Sequence, residues 1–201
     1  MDDLSQIPSD PARLETVERI LDAAERLFRH YGYSKTNVAD VARDLSMSPA
    51  NIYRFFSSKA EIHQAIARRM LRVQCEALKA NAARQVPAAD RLRDHLLVQY
   101  RMTVETMIDE EKVHEMVVVA MDQQWPVVQE HLDQVRAIIA GIIVDGIADG
   151  EFREQDPLLA AECFMCCGVS LCHPMLVAKK IAADEHITPE ALAEFAIRAL
   201  R

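Results

Sequence analysis

Three capping residues stand directly before a proline at the head of a helix-period pattern: Ser48-Pro49, Asp156-Pro157 and Thr188-Pro189. A side-chain oxygen at the cap accepts from the unpaired N–H groups of the first turn. A proline there loses nothing, because its missing N–H has no intrahelical partner. Such starts recur while stops are sparse. Only five glycines serve 201 residues, with Gly32 and Gly150 falling where helices would close. No stretch alternates apolar and polar residues as a half-buried strand does. The spacing predicts an all-α chain, and with half its residues hydrophobic it can build a sizeable core without staples.

Residues 1–12 carry two prolines and no periodicity, and read as a flexible tail. Val17, Ile20, Leu21, Ala24, Leu27, Phe28 and Tyr31 then repeat at helical spacing up to Gly32. Thr36 or Asn37 can cap a short second helix with Val38, Val41, Ala42 and Leu45 on one face, and Ser48-Pro49 opens a third. Ser58 with Glu61 makes a capping box for a long helix over 59–83. Two short helices joined by "LSMS" between longer ones predict a helix-turn-helix domain over 13–60. The 59–83 helix connects it to a larger helical domain, 61–201. There, patterns cover 89–108, 110–123 and 127–148. A helix from Pro157 follows, kinked at Pro174 and reaching Lys180, and "ITPEALAEFAIRAL" forms the last.

Charge is unevenly spread. The chain carries a net −8, yet Arg13 to Ala80 holds 12 Lys/Arg against 8 Asp/Glu, leaving 11 against 23 elsewhere. A basic amino-terminal third on an acidic body suggests a nucleic-acid face. The longest apolar run, Cys163 to Ala178, is short of the roughly 20 residues that span a bilayer, and the amino terminus lacks the pattern of a secretory signal. No membrane partner and a cytoplasmic location are expected. Five cysteines, an odd number, fit a reducing compartment better than a disulfide framework.

The segments "ILDAAERLFRHYGYSKTNVADVA" and "LSMSPANIYRFFSSKAEI" resemble the amino-terminal domain of the TetR family of transcriptional regulators. Phe28, Gly32, Tyr33, Thr36, Val38, Val41, Ala42, Ser48, Ile52, Tyr53, Phe56 and Lys59 fall in register with the family pattern. Ser46 departs from it, standing where the family commonly has glycine. If that position needs a positive φ, serine costs about 1 kcal/mol relative to glycine. The resemblance implies a homodimer that binds double-stranded DNA and answers to a small-molecule effector.

Residue chemistry agrees with that implication. A short capped helix can enter the major groove by its first turns, presenting Ala50 and Asn51 to base edges. Tyr53 can place its hydroxyl on a phosphate, Arg54 can reach a guanine or the backbone, and Lys59 can clamp a phosphate. Ser48 caps first and touches phosphate second. Lys35, Thr36 and Asn37 lie at another helix start, where backbone N–H groups favour an anion.

For the body, an adaptable apolar cavity is expected among Met70, Leu97, Tyr100, Arg101, Val104, His114, Val117, Met121, Trp125, Ile138, Ile142 and Phe164. Methionines supply plasticity there, and Tyr100, Arg101 and His114 the sparse polar contacts. A mainly apolar or amphipathic effector follows. Cys163, Cys166, Cys167, Cys172 and His173 crowd one apolar run. Core packing is the first reading of the thiols, with redox sensing or metal binding as others; no metal or cofactor is expected. Because that run is apolar all round, it must be covered. The family resemblance puts dimerisation on the last two helices, here 157–180 and 188–200. Two rivals stand beside the ligand-released repressor: a constitutive or activating DNA-binding regulator, and an all-α enzyme built on a Cys/His centre.

Overall fold

Asp10, not a residue near Val17, opens the first helix. The structure is a computed structural model and describes residues 10–105, 119, 125–173, 176–179 and 187–201. Helix α1 runs Pro11–Tyr31, with the Asp10 carboxylate accepting from the Ala12 N–H at 3.1 Å. Residues 11 and 12, assigned to the tail, therefore belong to α1. The early turns were hidden because residues 11–15 are exposed and carry no apolar periodicity. Tyr31, read as part of the apolar face, is 54 % exposed.

Among the described residues all regular structure is helical. After α1 come α2 (Val38–Asp44), α3 (Pro49–Tyr53), α4 (Lys59–Ala82) and α5 (Ala88–Thr103), then α6 (Pro126–Ala148), α7 (Pro157–Cys172) and α8 (Pro189–Arg198). The chain divides into two compact units after Ala67, within α4.

The first unit closes around Ile20, Leu21, Ala24 and Phe28 of α1, Val38, Val41 and Ala42 of α2, Ile52 of α3, and Ile62 and Ile66 of α4. Phe28 meets Tyr33 edge-on at 5.3 Å and His63 at 5.8 Å. The capping box drawn from Ser58 and Glu61 is half formed. Ser58 Oγ accepts from the Glu61 N–H at 3.1 Å, but the Glu61 carboxylate turns to the N–H and hydroxyl of Ser57.

In the second unit α5, α6, α7 and α8 pack around Leu92, Leu96, Ile139, Ile142, Ile143, Phe164 and Ile197. Two glycines permit close approach: a Cβ at Gly146 would lie 2.3 Å from Phe152 Cδ2, and one at Gly168 2.5 Å from Leu96 Cδ2. The acidic cap Asp156 accepts from the Leu158 and Leu159 N–H groups, and Thr188 from that of Ala191. Helix α5 has no cap in its own sequence. The Glu151 carboxylate, arriving from the turn after α6, takes the Ala88 and Ala89 N–H groups at 2.7 and 3.1 Å.

Two expectations change here. The helix drawn from 157 to 180 breaks, rather than kinks, after Cys172, because His173 precedes a proline and takes extended geometry (φ −82°, ψ 117°); helix resumes at 176–179. The thiols of Cys163 and Cys166 are exposed, so core packing does not account for them. The helix expected over 110–123 lies outside the described residues apart from Val119.

Candidate nucleic-acid interface

The turn between α2 and α3 sets how the third helix is presented. The Met47 N–H bonds back to the Ala42 carbonyl at 2.8 Å and the Ser46 N–H to that of Arg43 at 3.1 Å. This is the paired closure in which the residue past the cap turns left-handed. Ser46 does so, with φ 54°. A side chain here carries strain that glycine does not. Ser46→Gly is expected to stabilise the head by up to about 1 kcal/mol in urea unfolding followed by circular dichroism, and an unchanged or lower midpoint would count against the strain.

Helix α3 follows at once. Ser48 Oγ accepts from the Asn51 N–H at 3.2 Å, which leaves its own O–H to donate outward. Ile52 is fully buried and Phe56 nearly so, and this anchors the helix by one side. Ala50, Tyr53 and Arg54 are turned outward, Tyr53 being 52 % exposed, and Asn51 is half-buried. Tyr53 is thus no part of the core, although it sits between Ile52 and Phe56 in register.

At the start of α2, Asn37 and Asp40 complete a reciprocal box: Asn37 Oδ1 accepts from the Asp40 N–H and Asp40 Oδ2 from the Asn37 N–H, each at 3.0 Å. Lys35 is exposed beside it. Thr36 is a correction. Its side chain is only 3 % exposed and its hydroxyl donates to the Gly32 carbonyl at 2.9 Å, so it braces the turn after α1 instead of facing outward.

Lys59 also differs from a simple phosphate clamp. Its ammonium donates to the Tyr33 carbonyl at 2.9 Å and the Thr36 carbonyl at 3.0 Å, and lies 4.2 Å from the centre of the Tyr33 ring. Two of its three N–H donors are engaged, leaving one to reach outward. One charge escaped the sequence reading: the Arg13 guanidinium sits 5.1 Å over the Phe55 ring, just beyond α3. Its only sequence signal was a basic residue in an exposed first turn.

In the second unit, Ile142, Phe164 and Trp125 are buried, Ile142 and Phe164 within the packed core, while Met70, Leu97, Tyr100, Val104 and Ile138 are half-buried. Arg101 is exposed, which does not fit an inward polar contact: its place on α5 points it away from the buried face carrying Leu92, Leu96 and Thr103. His114, Val117 and Met121 lie outside the described residues. A small cleft of about 40 Å³ opens between α4 and α5, lined by Gln74, Leu78, Asn81, Asp94, His95, Gln99 and Met102 among others. Polar and apolar side chains share its lining, Ala77 and Val98 among them, and it has room for about one water. Burial, with His131 nearby, pushes the His95 imidazole down to about 4, so it is neutral at physiological pH.

The family profile described as "Bacterial regulatory proteins, tetR family" matches residues 20–66, and that described as "Tetracyclin repressor-like, C-terminal domain" matches residues 88–192. An HTH-type transcriptional regulator of Mycobacterium tuberculosis is 32 % identical over 85 residues, 42 % of this chain and 42 % of that protein. The match thus spans under half the length of this curated relative. Among solved structures, a TetR/AcrR-family regulator from Thermobifida fusca aligns with a TM-score of 0.66 at 20 % identity, over 92 % of this chain and 96 % of that one. The regulator FadR from Bacillus subtilis, solved with stearoyl-CoA, aligns with a TM-score of 0.61 at 19 % identity, over 91 % and 96 %. With an outward-facing α3 on a helix-turn-helix head and a carboxy-terminal profile covering more than half of its residues, the chain belongs to the TetR family of transcriptional regulators.

Proposed function

We propose that this regulator is a homodimeric repressor that binds a near-palindromic operator and releases it when a mainly apolar or amphipathic small molecule occupies the body. The observation that carries the DNA reading is α3: Ile52 fully buried, with Tyr53 and Arg54 turned outward from a capped start. Lys35, Asn37, Ser48, Ala50, Asn51 and one remaining donor of Lys59 complete the proposed surface.

Dimerisation through 157–180 and 188–200 is supported by what those helices leave uncovered. Leu158, Leu159 and Val169 of α7 are 60, 59 and 47 % exposed, and Phe195 of α8 is 62 % exposed. Exposed apolar side chains that share one side of a helix, as Leu158 and Val169 do by spacing, mark interaction surfaces. Phe195→Glu is expected to convert a sedimenting dimer into a monomer at micromolar concentration, and a wild-type monomer that still binds operator there would remove the idea. In a symmetric dimer, half-sites stand about one helical turn apart or a little more.

The effector class draws support from the half-buried Met70, Leu97, Tyr100 and Ile138, and from the acyl-CoA complex of the Bacillus subtilis neighbour. A tenfold loss of operator binding needs about 1.4 kcal/mol of preference for the releasing conformation. The test is a gel shift on DNA selected by the wild-type protein, with and without long-chain acyl compounds. Release by at least tenfold is expected. A saturating ligand that left affinity unchanged would favour a constitutive regulator.

A further inference from the structure

Two helix stripes line the small cleft of the second unit. Gln74, Ala77, Leu78 and Asn81 on α4 follow the i, i+3, i+4, i+7 spacing of one helical side, and His95, Val98, Gln99 and Met102 on α5 do the same. We propose that this cleft takes the hydroxyl group of a neutral, otherwise apolar molecule, an alcohol or phenol, with His95 as its principal polar contact. The His95 side chain is only 7 % exposed. Yet its imidazole makes no hydrogen bond among the described residues, and neither ring nitrogen is sealed from solvent, so the ring opens on the cleft that it lines. A nearly buried polar group in that state is completed by whatever enters.

The chemistry of the lining selects the entrant. Gln74 and Gln99 are half-buried and likewise make no side-chain hydrogen bond among the described residues. Burial keeps the imidazole neutral at pH 7, so it offers one donor and one acceptor, and each amide offers both kinds. A hydroxyl also donates and accepts, and it fits the space of the single water that the cleft can hold. Charge finds no counterpart here. Asp94 is the one carboxylate of the lining, and Arg84 pairs with it while donating to Asn81 Oδ1 at 3.0 Å. No lysine or arginine lines the cleft. An ion entering it would shed water without meeting an unpaired opposite charge, which costs more than burying a neutral group. Ala77, Leu78, Val98 and Met102 supply apolar surface for the rest of the molecule.

The inference deepens the proposed effector reading by naming a head group, and it rests on that reading only for what binding does at the operator. Octan-1-ol, octanoate and octylammonium share one tail and differ in the head. Titrated calorimetrically into the full chain at pH 7 without DNA, octan-1-ol should bind saturably and at least tenfold more tightly than either ion. His95→Leu should cost at least tenfold in octan-1-ol affinity, and His95→Gln, which returns a donor and an acceptor, should recover part of it. Gln99→Leu, at a half-buried position, should cost at least threefold and keeps the test decisive if His95→Leu fails to fold, as circular dichroism would reveal. An ion bound as tightly as the alcohol, an alcohol that does not saturate, or octan-1-ol binding untouched by these substitutions overturns the site. Octan-1-ol that binds as expected but leaves operator affinity unchanged overturns the release reading alone and leaves the site standing.

Discussion

Replacing Tyr53 and Arg54 together by alanine is expected to weaken operator binding by roughly a hundredfold while leaving the head as stable as before. The affinity estimate comes from about 1–3 kcal/mol for an arginine reading a base, with a smaller share for a tyrosine on phosphate. The stability estimate comes from exposure: both side chains point outward while Ile52 and Phe56 hold the helix, and exposed substitutions of this kind stay within about 0.5 kcal/mol. Lys59→Met makes the contrast. It strips the Tyr33 and Thr36 carbonyls of their shared donor, so it should lower operator affinity and head stability together. Operator titrations over a range of salt, paired with urea unfolding, separate the two behaviours. Each lost phosphate contact flattens the salt slope by about one unit. A double variant that held operator within threefold of wild type would sink the assignment of this surface.

What could be read from sequence was largely what acts within four residues. Ser48, Asp156 and Thr188 each bond to N–H groups two or three positions on, so residue type and spacing announce them. Ser46 was marked only by the family resemblance, as a serine standing where glycine is common, and its φ of 54° is the positive value that position would need. Interactions that close over distance were not legible. Glu151 caps α5 from 63 residues away, and Lys59 reaches 26 residues back to Tyr33. Neither partner carries a local signature. Thr36 shows a subtler failure. Its register beside Asn37 is that of a helix start, but whether a hydroxyl faces solvent or the Gly32 carbonyl depends on how the turn after α1 folds back. In the body, periodicity marked apolar faces without saying which residues would be packed solid. Ile142 and Phe164 joined the core, and nothing in the sequence set apart His95, which lines the small cleft.

That histidine and its counterpart in the head make acid the other large perturbation. His63 is 2 % exposed beside Phe28 and Tyr33, and burial, helped by the Lys59 charge, pushes its imidazole down to about 4. His95 is likewise down to about 4, through burial and then His131. In an unfolded chain each titrates near 6.5. Between those values the unfolded chain binds a proton that the folded chain refuses, so stability is intact above about pH 6.5 and falls as pH drops. The fall runs at about 1.4 kcal/mol per pH unit for each histidine and levels off below about pH 4, where the folded state is protonated too. From pH 7 to pH 5 the loss should reach about 2 kcal/mol in each unit, a large share of an ordinary domain's stability. Trp125, buried in the second unit and the only tryptophan, reports the body by fluorescence, while circular dichroism reports both. His63→Phe keeps a ring against Phe28 and should flatten the dependence of the head; His95→Leu should do so for the body. Urea midpoints that matched at pH 7 and pH 5 would show that neither histidine is held neutral by the fold.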